Sequence, residues 1–462
     1  MNIGFLQDLL NSVAEQGRLL VDRARGTAGG ARLDRLPLAE LARLLLSSRG
    51  EASGVALARM IIARYAAAAP EARRAFLAAL AEDFAPDPAA IRRAFAAYDT
   101  EPGPRQHAAL LAAVEPPRQE VIRRLNLAPG NTLGLVRLRE DVLDALAGDP
   151  ALAALDRDFV HLFSSWFNRG FLVLKRIDWS SPAGILEKII RYEAVHAIES
   201  WDDLRRRIEP EDRRCFAFFH PALVDEPLIF VEVALMREKP AAIEPILAGN
   251  RVPLPAGEAE VAVFYSISNC QKGLAGISFG NFLIKQVVEE LRRELPQLST
   301  FVTLSPVPGF RRWVEAGLAG GDPDFIAAGE RAVIAALDEG ETDPAGLETA
   351  ARVLEPLLAR YFLEARDPRG RVIDPVARFH LGNGARLDRL NLFADFSPKG
   401  WRESYAAMVN YLYDLPTIEE NHERFASQGE VVASPGVQKA LRRAPRTAPR
   451  APAARPADPS PA

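Results

Sequence analysis

One stretch, residues 261–313, limits the possible folds of this chain more than any other. Residues 261–268 are apolar and rich in β-branched and aromatic side chains, which predicts a buried strand. A glycine-rich loop follows, and then the apolar residues recur at helical spacing until Pro296 ends the helix. A second apolar run, residues 301–304, predicts another strand, and Ser305 stands at its end. The stretch therefore predicts strand, loop, helix, strand and serine, in that order.

The loop of this stretch suits a phosphate group. Gly273, Gly276 and Gly280 allow the backbone to approach a ligand closely, and the start of the following helix favours an anion. Their spacing matches neither the P-loop pattern nor the dinucleotide-binding pattern. Glycines between a strand and a helix are often only a tight turn, so the loop alone leaves both interpretations open.

The rest of the chain divides by composition. Residues 1–148 are rich in good helix formers and show no β-rich run, which predicts an N-terminal all-α helical bundle that packs, braces or oligomerises. Aromatic residues and short apolar runs become frequent after Pro150, so an α+β fold is expected, with a second domain over residues 149–433. Residues 434–462 are mostly Pro, Ala and Arg without periodicity, which predicts a disordered tail. The helical pattern is clearest at Leu38, Leu41, Leu44, Leu45, Phe76, Leu77, Leu80, Val121, Ile122 and Leu125.

Composition also excludes several classes of function. The chain has 462 residues, 48% hydrophobic and 26% charged, with a net charge of −4, so neither a nucleic acid nor a membrane surface is indicated as a partner. No apolar run approaches the roughly 20 residues that span a bilayer, and no signal peptide is evident. Cys215 and Cys270 lie far apart and match no metal spacing, which indicates a reducing cytoplasm and no metal site.

Histidine is the candidate for proton transfer. The chain has 6 histidines. His380 is the best placed, beside the turn signal Asn383-Gly384 and downstream of Ser305. His220, which ends a strand before Pro221, is the second candidate. Because sequence distance says nothing about spatial contact, a Ser305–His380 partnership remains one of several possibilities on spacing alone.

Several long strings, in the same order along the chain, resemble malonyl-CoA decarboxylases. The likeness covers roughly residues 150–430, and the N-terminal part looks like that family's helical domain. The resemblance implies a GNAT-like (acyl-CoA N-acyltransferase) catalytic domain with a mixed central sheet, in which a strand–helix loop holds the CoA pyrophosphate. The strings are SWFNRGFLVLKRIDW (165–179), HPALVDEPLIFVEVAL (220–235), FYSISNCQKGLAGISFGNFLIK (264–285), LSPVPGF (304–310), DPVARFHLGNGA (374–385) and MVNYLYDLP (408–416).

The resemblance also implies an activity and residues for it. The family converts malonyl-CoA to acetyl-CoA and CO₂ without a metal or organic cofactor, and its helical domains take part in assembly, so a homo-oligomer is expected. Ser305 resembles the family's catalytic serine, His380 its proton donor and Tyr413 a tyrosine of the same site. Family members can carry a glutamate where this chain has Ser278, so no carboxylate role carries over there. The acyl-CoA-contacting loop corresponds to Ala275, Gly276, Ile277, Ser278, Phe279, Gly280 and Asn281.

Two alternatives remain open at this point. A GNAT-type acyltransferase would use the same loop to pass an acyl group from CoA to an amine, and it would release free CoA rather than CO₂. A non-catalytic acyl-CoA sensor would keep the loop, while the serine and the histidine would have no chemical role. Decarboxylation needs little from the protein: an oriented carboxylate, donors to the enolate oxygen and a proton for carbon 2.

Overall fold

The first part of the described chain is helical. The computed structural model describes residues 33–442 except residues 34, 48–49, 278–282, 321–324 and 339–342. The predicted apolar faces bury one another, because residues such as Leu41, Phe76 and Val121 are at most 2% exposed. The helices are α1 (Leu38–Leu46), α2 (Glu51–Ala67), α3 (Pro70–Glu82), α4 (Pro88–Thr100), α5 (Pro104–Val114), α6 (Pro117–Asn126), α7 (Asn131–Ala145) and α8 (Leu152–Trp166).

Helix α8 belongs to this helical layer. It packs on α3, α6 and α7, and its Phe159 and Phe163 are fully buried. The helical layer thus continues to Trp166, past the domain boundary expected after residue 148. The increase in aromatic residues after Pro150 thus begins within a helix of this layer, where Phe159 and Phe163 pack in the core.

A mixed sheet follows the helical layer. Its strand order is β1-β2-β3-β4-β5-β8-β6, with β7 paired to β8, and among the described strands only β4 and β5 run parallel. A helical region followed by a mixed sheet confirms the predicted α+β fold class. The strands are β1 (Val173–Ile177), β2 (Arg213–Phe219), β3 (Pro227–Met236), β4 (Val261–Asn269), β5 (Thr300–Thr303), β6 (Ser305–Pro306), β7 (Arg386–Asn391) and β8 (Met408–Leu412).

Further helices cover and connect the sheet. No helix of the described residues is long and apolar enough to cross a membrane. The helices are α9 (Ala183–Tyr192), α10 (Trp201–Ile208), α11 (Glu244–Leu247), α12 (Leu283–Glu294), α13 (Phe310–Ala319), α14 (Ala328–Asp338), α15 (Pro344–Leu363), α16 (Pro375–Gly382), α17 (Pro398–Ser404), α18 (Ile418–Gln428) and α19 (Pro435–Leu441).

The connection from β4 to β5 confirms the predicted strand–loop–helix–strand unit. Parallel neighbours require a crossover, and here the loop after β4 and helix α12 provide it. The apolar face of α12, including Val287 and Leu291, is fully buried. The loop therefore emerges at the end of a central strand, and β4 continues to Asn269, beyond its last pairing with β5 at Phe264 and Thr303.

Strands β7 and β8 were not predicted. Strand β8 pairs with β5, β6 and β7, so it lies inside the sheet. Its sequence includes Asn410, a residue untypical of strands, which is nevertheless fully buried. The Asn410 side chain donates to the Thr303 carbonyl at 2.7 Å, which satisfies the amide inside the sheet. Because this hydrogen bond joins residues far apart in the sequence, the local pattern of residues gave no indication of strand β8.

The prediction of a disordered tail from residue 434 is wrong for residues 435–441. Residues 435–441 form α19, whose Val437 and Ala440 are 2% and 3% exposed. The Ser434 side chain caps the helix by accepting from the Val437 N–H at 3.3 Å, and Pro435 occupies its first turn. Helix α19 packs on α15 and β7. Residues 443–462 of the expected tail lie outside the described residues.

Candidate active site

Ser305 lies where the chain leaves strand β5. Residues 303 and 305 are two apart in extended backbone, so their side chains share one face. The Ser305 hydroxyl donates to Thr303 Oγ1 at 2.8 Å, and both residues are buried. Strand β8 fixes the backbone here, because Ser305 pairs with Val409. The serine is therefore held rigidly at the end of a strand, as predicted.

Helix α16 brings His380 to this serine. The helix is well defined at its start, since the Asp374 side chain accepts from the Ala377 N–H at 2.7 Å and Pro375 occupies the first turn. His380 lies in the last turn and is 3% exposed. Its Nε2 lies 3.1 Å from Ser305 Oγ. Two residues far apart in sequence thus form the contact that spacing alone left open.

Tyr413 completes a row of hydrogen bonds. Its hydroxyl lies 2.8 Å from His380 Nδ1, and the residue is 2% exposed. On one face of the imidazole, the Tyr411 ring stacks at 4.6 Å with an interplanar angle of 25°. The structure therefore brings together all three residues expected in the catalytic group, Ser305, His380 and Tyr413.

The hydrogen bonds define the tautomer of His380. Thr303 Oγ1 accepts from the Ser305 hydroxyl and from the Tyr411 N–H, at 2.8 and 3.1 Å. Because the Ser305 proton is engaged there, Ser305 Oγ accepts from the imidazole, which places the proton on Nε2. Nδ1 then accepts from the Tyr413 hydroxyl. The ring presents an N–H toward the serine.

Burial keeps this imidazole neutral. Desolvation disfavours the charged form and lowers the pKa of His380 to about 3. The same cause raises the pKa of Tyr413 well above its usual value, which keeps the phenol protonated. In the unliganded protein the side chains of Ser305, His380 and Tyr413 are therefore uncharged at neutral pH.

We predict that His380 of the ligand-free protein stays neutral as the pH falls from about 7 to about 5, because its folded pKa lies below this window. In the denatured protein the same histidine should titrate near about 6.5. Acid should accordingly destabilise the fold below about 6.5, since the unfolded chain then binds the extra proton. Imidazole resonances followed by NMR, assigned with a His380→Ala variant, test this. Protonation of native His380 near pH 6 would contradict it.

The predicted acyl-CoA loop and helix α16 face one cavity. Its volume is about 390 Å³, and Ala275, Gly276 and Ile277 line it from the loop. Phe379 and Gly382 of α16 line it from the other side. The helix that carries His380 is thus also a wall of the cavity beneath the loop.

Gly276 has the backbone conformation that the loop requires. Its φ of +77° is in the left-handed region, which favours glycine, and no atom of the described residues lies within 4 Å of the position of an added Cβ. A side chain here would therefore project into open space beside the cavity. Of the predicted loop residues, Ser278, Phe279, Gly280 and Asn281 lie outside the described residues.

His220, the second candidate, has a structural role. Its Nε2 lies 3.1 Å from the Trp166 carbonyl, and its Nδ1 accepts from the Ala222 N–H at 3.2 Å. The ring packs against Phe167 at 4.9 Å. Both nitrogens are engaged with backbone, so the imidazole joins β2 to the end of α8. Among the described residues, no group of His, Cys, Asp and Glu side chains suits a metal ion.

Two residues of the site were missed by the sequence analysis. Thr303 orients the Ser305 hydroxyl, and Tyr411 covers the face of His380. Each lies two positions before a predicted site residue, Ser305 or Tyr413, in extended chain. The alternation of side chains along a strand could have identified both of them.

Comparison with known proteins identifies the family. The sequence matches the malonyl-CoA decarboxylase C-terminal domain over residues 170–451 and the N-terminal domain of the same family over residues 84–167. The mitochondrial malonyl-CoA decarboxylase of Anser anser anser is 34% identical over 400 residues, covering 78% of each chain.

Solved structures agree with the sequence comparison. The malonyl-CoA decarboxylase of Rhodopseudomonas palustris is 57% identical with a TM-score of 0.85, over 87% of this chain and 98% of that one. The enzyme of Agrobacterium vitis is 54% identical with a TM-score of 0.83, over 88% of this chain and 100% of that one. The match spans both the helical layer and the sheet, and the chain belongs to the malonyl-CoA decarboxylase family.

Proposed function

We propose that this chain converts malonyl-CoA to acetyl-CoA and CO₂, with Ser305 and His380 acting on the malonyl group and Tyr413 supporting His380. One observation carries the proposal. In a chain of this family, Ser305 Oγ and His380 Nε2 meet at 3.1 Å, and the helix of His380 also lines the cavity beneath the glycine loop. The loop backbone takes the pyrophosphate, and the acyl arm extends along α16 toward the imidazole.

The chemistry begins with the carbon–carbon bond of the malonyl group. This bond breaks when the carboxylate is held out of the thioester plane, CO₂ leaves, and the electron pair becomes the enolate of acetyl-CoA. Burial of Ser305 and His380 favours this step, because it removes hydration from the leaving carboxylate. The Ser305 hydroxyl binds the carboxylate or donates to the developing oxyanion.

His380 then supplies the proton for carbon 2. The malonyl carboxylate brings a negative charge near the imidazole, which favours its protonated form and raises its pKa in the complex. The ring takes this proton from solvent as the substrate binds, and Nε2 delivers it to the enolate. Tyr413 supports both states, since its hydroxyl can donate to Nδ1 or accept from it. One proton is consumed for each CO₂ released.

Incubation of the purified protein with malonyl-CoA alone distinguishes this function from its two alternatives. A decarboxylase yields acetyl-CoA and CO₂ in equal amounts without an acceptor. A GNAT-type acyltransferase yields free CoA, and only when an amine is present. An acyl-CoA sensor binds the compound and yields nothing. Either of the last two results would overturn the proposal.

We also propose a homo-oligomer in the cytoplasm. Helices α4 and α5 pack on each other, and neither contains a buried residue. Their Phe95, Leu111 and Val114 are 57%, 55% and 42% exposed, so this hairpin offers an apolar surface to a second copy. Light scattering tests the assembly, and a monomer at micromolar concentration would refute it.

The proposed cytoplasmic location rests on the two cysteines. Cys215 and Cys270 are free and buried, which fits a reducing compartment.

Gly276→Val should weaken the binding of CoA by about 10–100-fold, the cost of one or two lost hydrogen bonds to a charged group, and should change kcat much less. The added side chain enters the open space beside the cavity and hinders close backbone approach. Calorimetry with CoA measures the effect. Gly370→Val is the matched control, because Gly370 lies at an exposed turn with the same φ of +77°, and no part of the chain that the structure describes comes within 4 Å of an added Cβ. Unchanged CoA affinity in a folded Gly276→Val protein would remove the loop from the binding site.

A further inference from the structure

The glycine loop that lines the cavity rests on a helix of the N-terminal layer. A Cβ on Gly273 would lie 1.9 Å from the Val136 carbonyl oxygen, so the loop and the backbone of helix α7 are in direct contact. The Gly273 N–H donates to the Glu140 side chain at 3.3 Å, and Lys272 forms an ion pair with Asp144. Helix α7 thus contacts the loop at three successive turns.

Arg139 lies at the centre of this contact. It is 2% exposed, and its Nη1 donates to the carbonyls of Gly273 and Ala275 at 2.8 and 2.9 Å. Its Nε donates to Asp156 of helix α8 at 2.9 Å. Two helices of the N-terminal layer therefore hold a guanidinium against two carbonyls of the loop, with charge-assisted hydrogen bonds.

These bonds fix the direction of one peptide N–H. A trans peptide is planar, and its N–H points opposite to its C=O. Because the Ala275 carbonyl points at Arg139, the Gly276 N–H points away from Arg139. Among the described residues that N–H has no acceptor, while Ala275 and Gly276 both line the cavity and Arg139 does not. The N–H is left available for a ligand oxygen.

We propose that Arg139 is a positioning residue for the acyl-CoA substrate. It holds the carbonyls of Gly273 and Ala275 on the side of the helical layer, which keeps the Gly276 N–H directed at the ligand. The helical layer then contributes to substrate affinity and is not only a brace or an assembly surface. This inference rests on the proposed function, since it requires that the loop bind CoA.

The test compares Arg139→Lys and Arg139→Gln with the same changes at Arg137. Arg137 is an exposed arginine of the same helix, so its variants control for helix propensity and net charge.

For both Arg139 variants, the Kd for CoA and the KM for malonyl-CoA should rise by about 10–100-fold, the effect of losing hydrogen bonds to a charged group. The value of kcat should stay within about threefold, because the Ser305–His380 contact is untouched. Amide exchange at residues 272–277 should quicken. Lysine, which keeps the charge, should restore part of the affinity lost in the glutamine variant.

The outcomes separate this inference from the proposed function. If the unmodified protein binds no CoA, the proposed function fails. If that protein binds CoA and folded Arg139→Gln binds it equally well, the loop is the CoA site but Arg139 does not position it. Should Arg139→Gln not fold, Asp156→Asn loosens the same guanidinium from its anchor. Unchanged Kd and KM in Arg139→Lys and Asp156→Asn would then overturn the inference.

Discussion

In the His380→Ala variant, we expect kcat for malonyl-CoA to fall by about 10²–10⁴-fold, the usual contribution of general acid–base catalysis. The imidazole is the group that touches both Ser305 Oγ, at 3.1 Å, and the Tyr413 hydroxyl, at 2.8 Å. Alanine removes the proton donor and also breaks the row that links the other two. The Kd for CoA should change little, because in the proposed complex the loop binds CoA and this ring does not.

His161→Ala is the control for this variant. His161 lies exposed on helix α8, outside the α4–α5 hairpin and outside the catalytic group, so its replacement should leave kcat within about twofold, as for most surface changes. Circular dichroism and the Kd for CoA show whether His380→Ala is folded. A folded His380→Ala protein with nearly full turnover would show that the proton comes from another group, and the assignment would be wrong.

In Ser305→Ala, kcat falls by about 10²–10³-fold, as when one preorganised donor to a developing charge is removed. Two effects combine. The hydroxyl no longer binds the carboxylate or the oxyanion, and the His380 Nε2–H loses its acceptor, so the ring is free to turn. The KM for malonyl-CoA should change less than kcat, because the hydroxyl acts on the reacting group rather than on the CoA moiety.

Ser299→Ala is the matched control. Ser299 is exposed just before strand β5, and its hydroxyl donates to the Glu260 carbonyl. Its kcat should equal that of the unmodified protein. If Ser305→Ala keeps its kcat and loses only substrate affinity, the hydroxyl binds malonyl-CoA uniformly and does not assist the chemical step. That outcome would leave His380 in place and remove Ser305 from the catalytic group.

The fold prediction was correct where an element shows its own apolar periodicity, and it failed where an element depends on tertiary contacts. Helix α12 was predicted because its apolar residues lie on one face, and these residues are buried in the same core as Ala262 of β4 and Phe301 of β5. Strand β8 was not predicted, because the buried Asn410 fits a strand through tertiary hydrogen bonds, to the Thr303 carbonyl and from the side chains of Arg389 and Asn391. Helix α19 was not predicted either. It is so short that it would be only marginally stable without its packing on α15 and β7.

The candidate site was predictable in its parts but not in its assembly. Ser305 and His380 were recognisable by type, by their turns and by family resemblance, yet only the folded chain brings Nε2 within 3.1 Å of Oγ. Arg139 gave no signal at all. It stands in an ordinary amphipathic helix, and its role arises from contacts to Gly273 and Ala275, more than a hundred residues away.

The most direct test of the account is one reaction in heavy water, with malonyl-CoA carrying carbon-13 in its free carboxyl group. At early times mass spectrometry should find the label in CO₂ and a single deuterium at carbon 2 of acetyl-CoA, because the proton that His380 delivers comes from solvent. The His380→Ala protein should give the same products far more slowly. Label that stays in malonyl-CoA, or that appears in free malonate or in an acylated amine, would contradict the central claim that this site breaks the carbon–carbon bond.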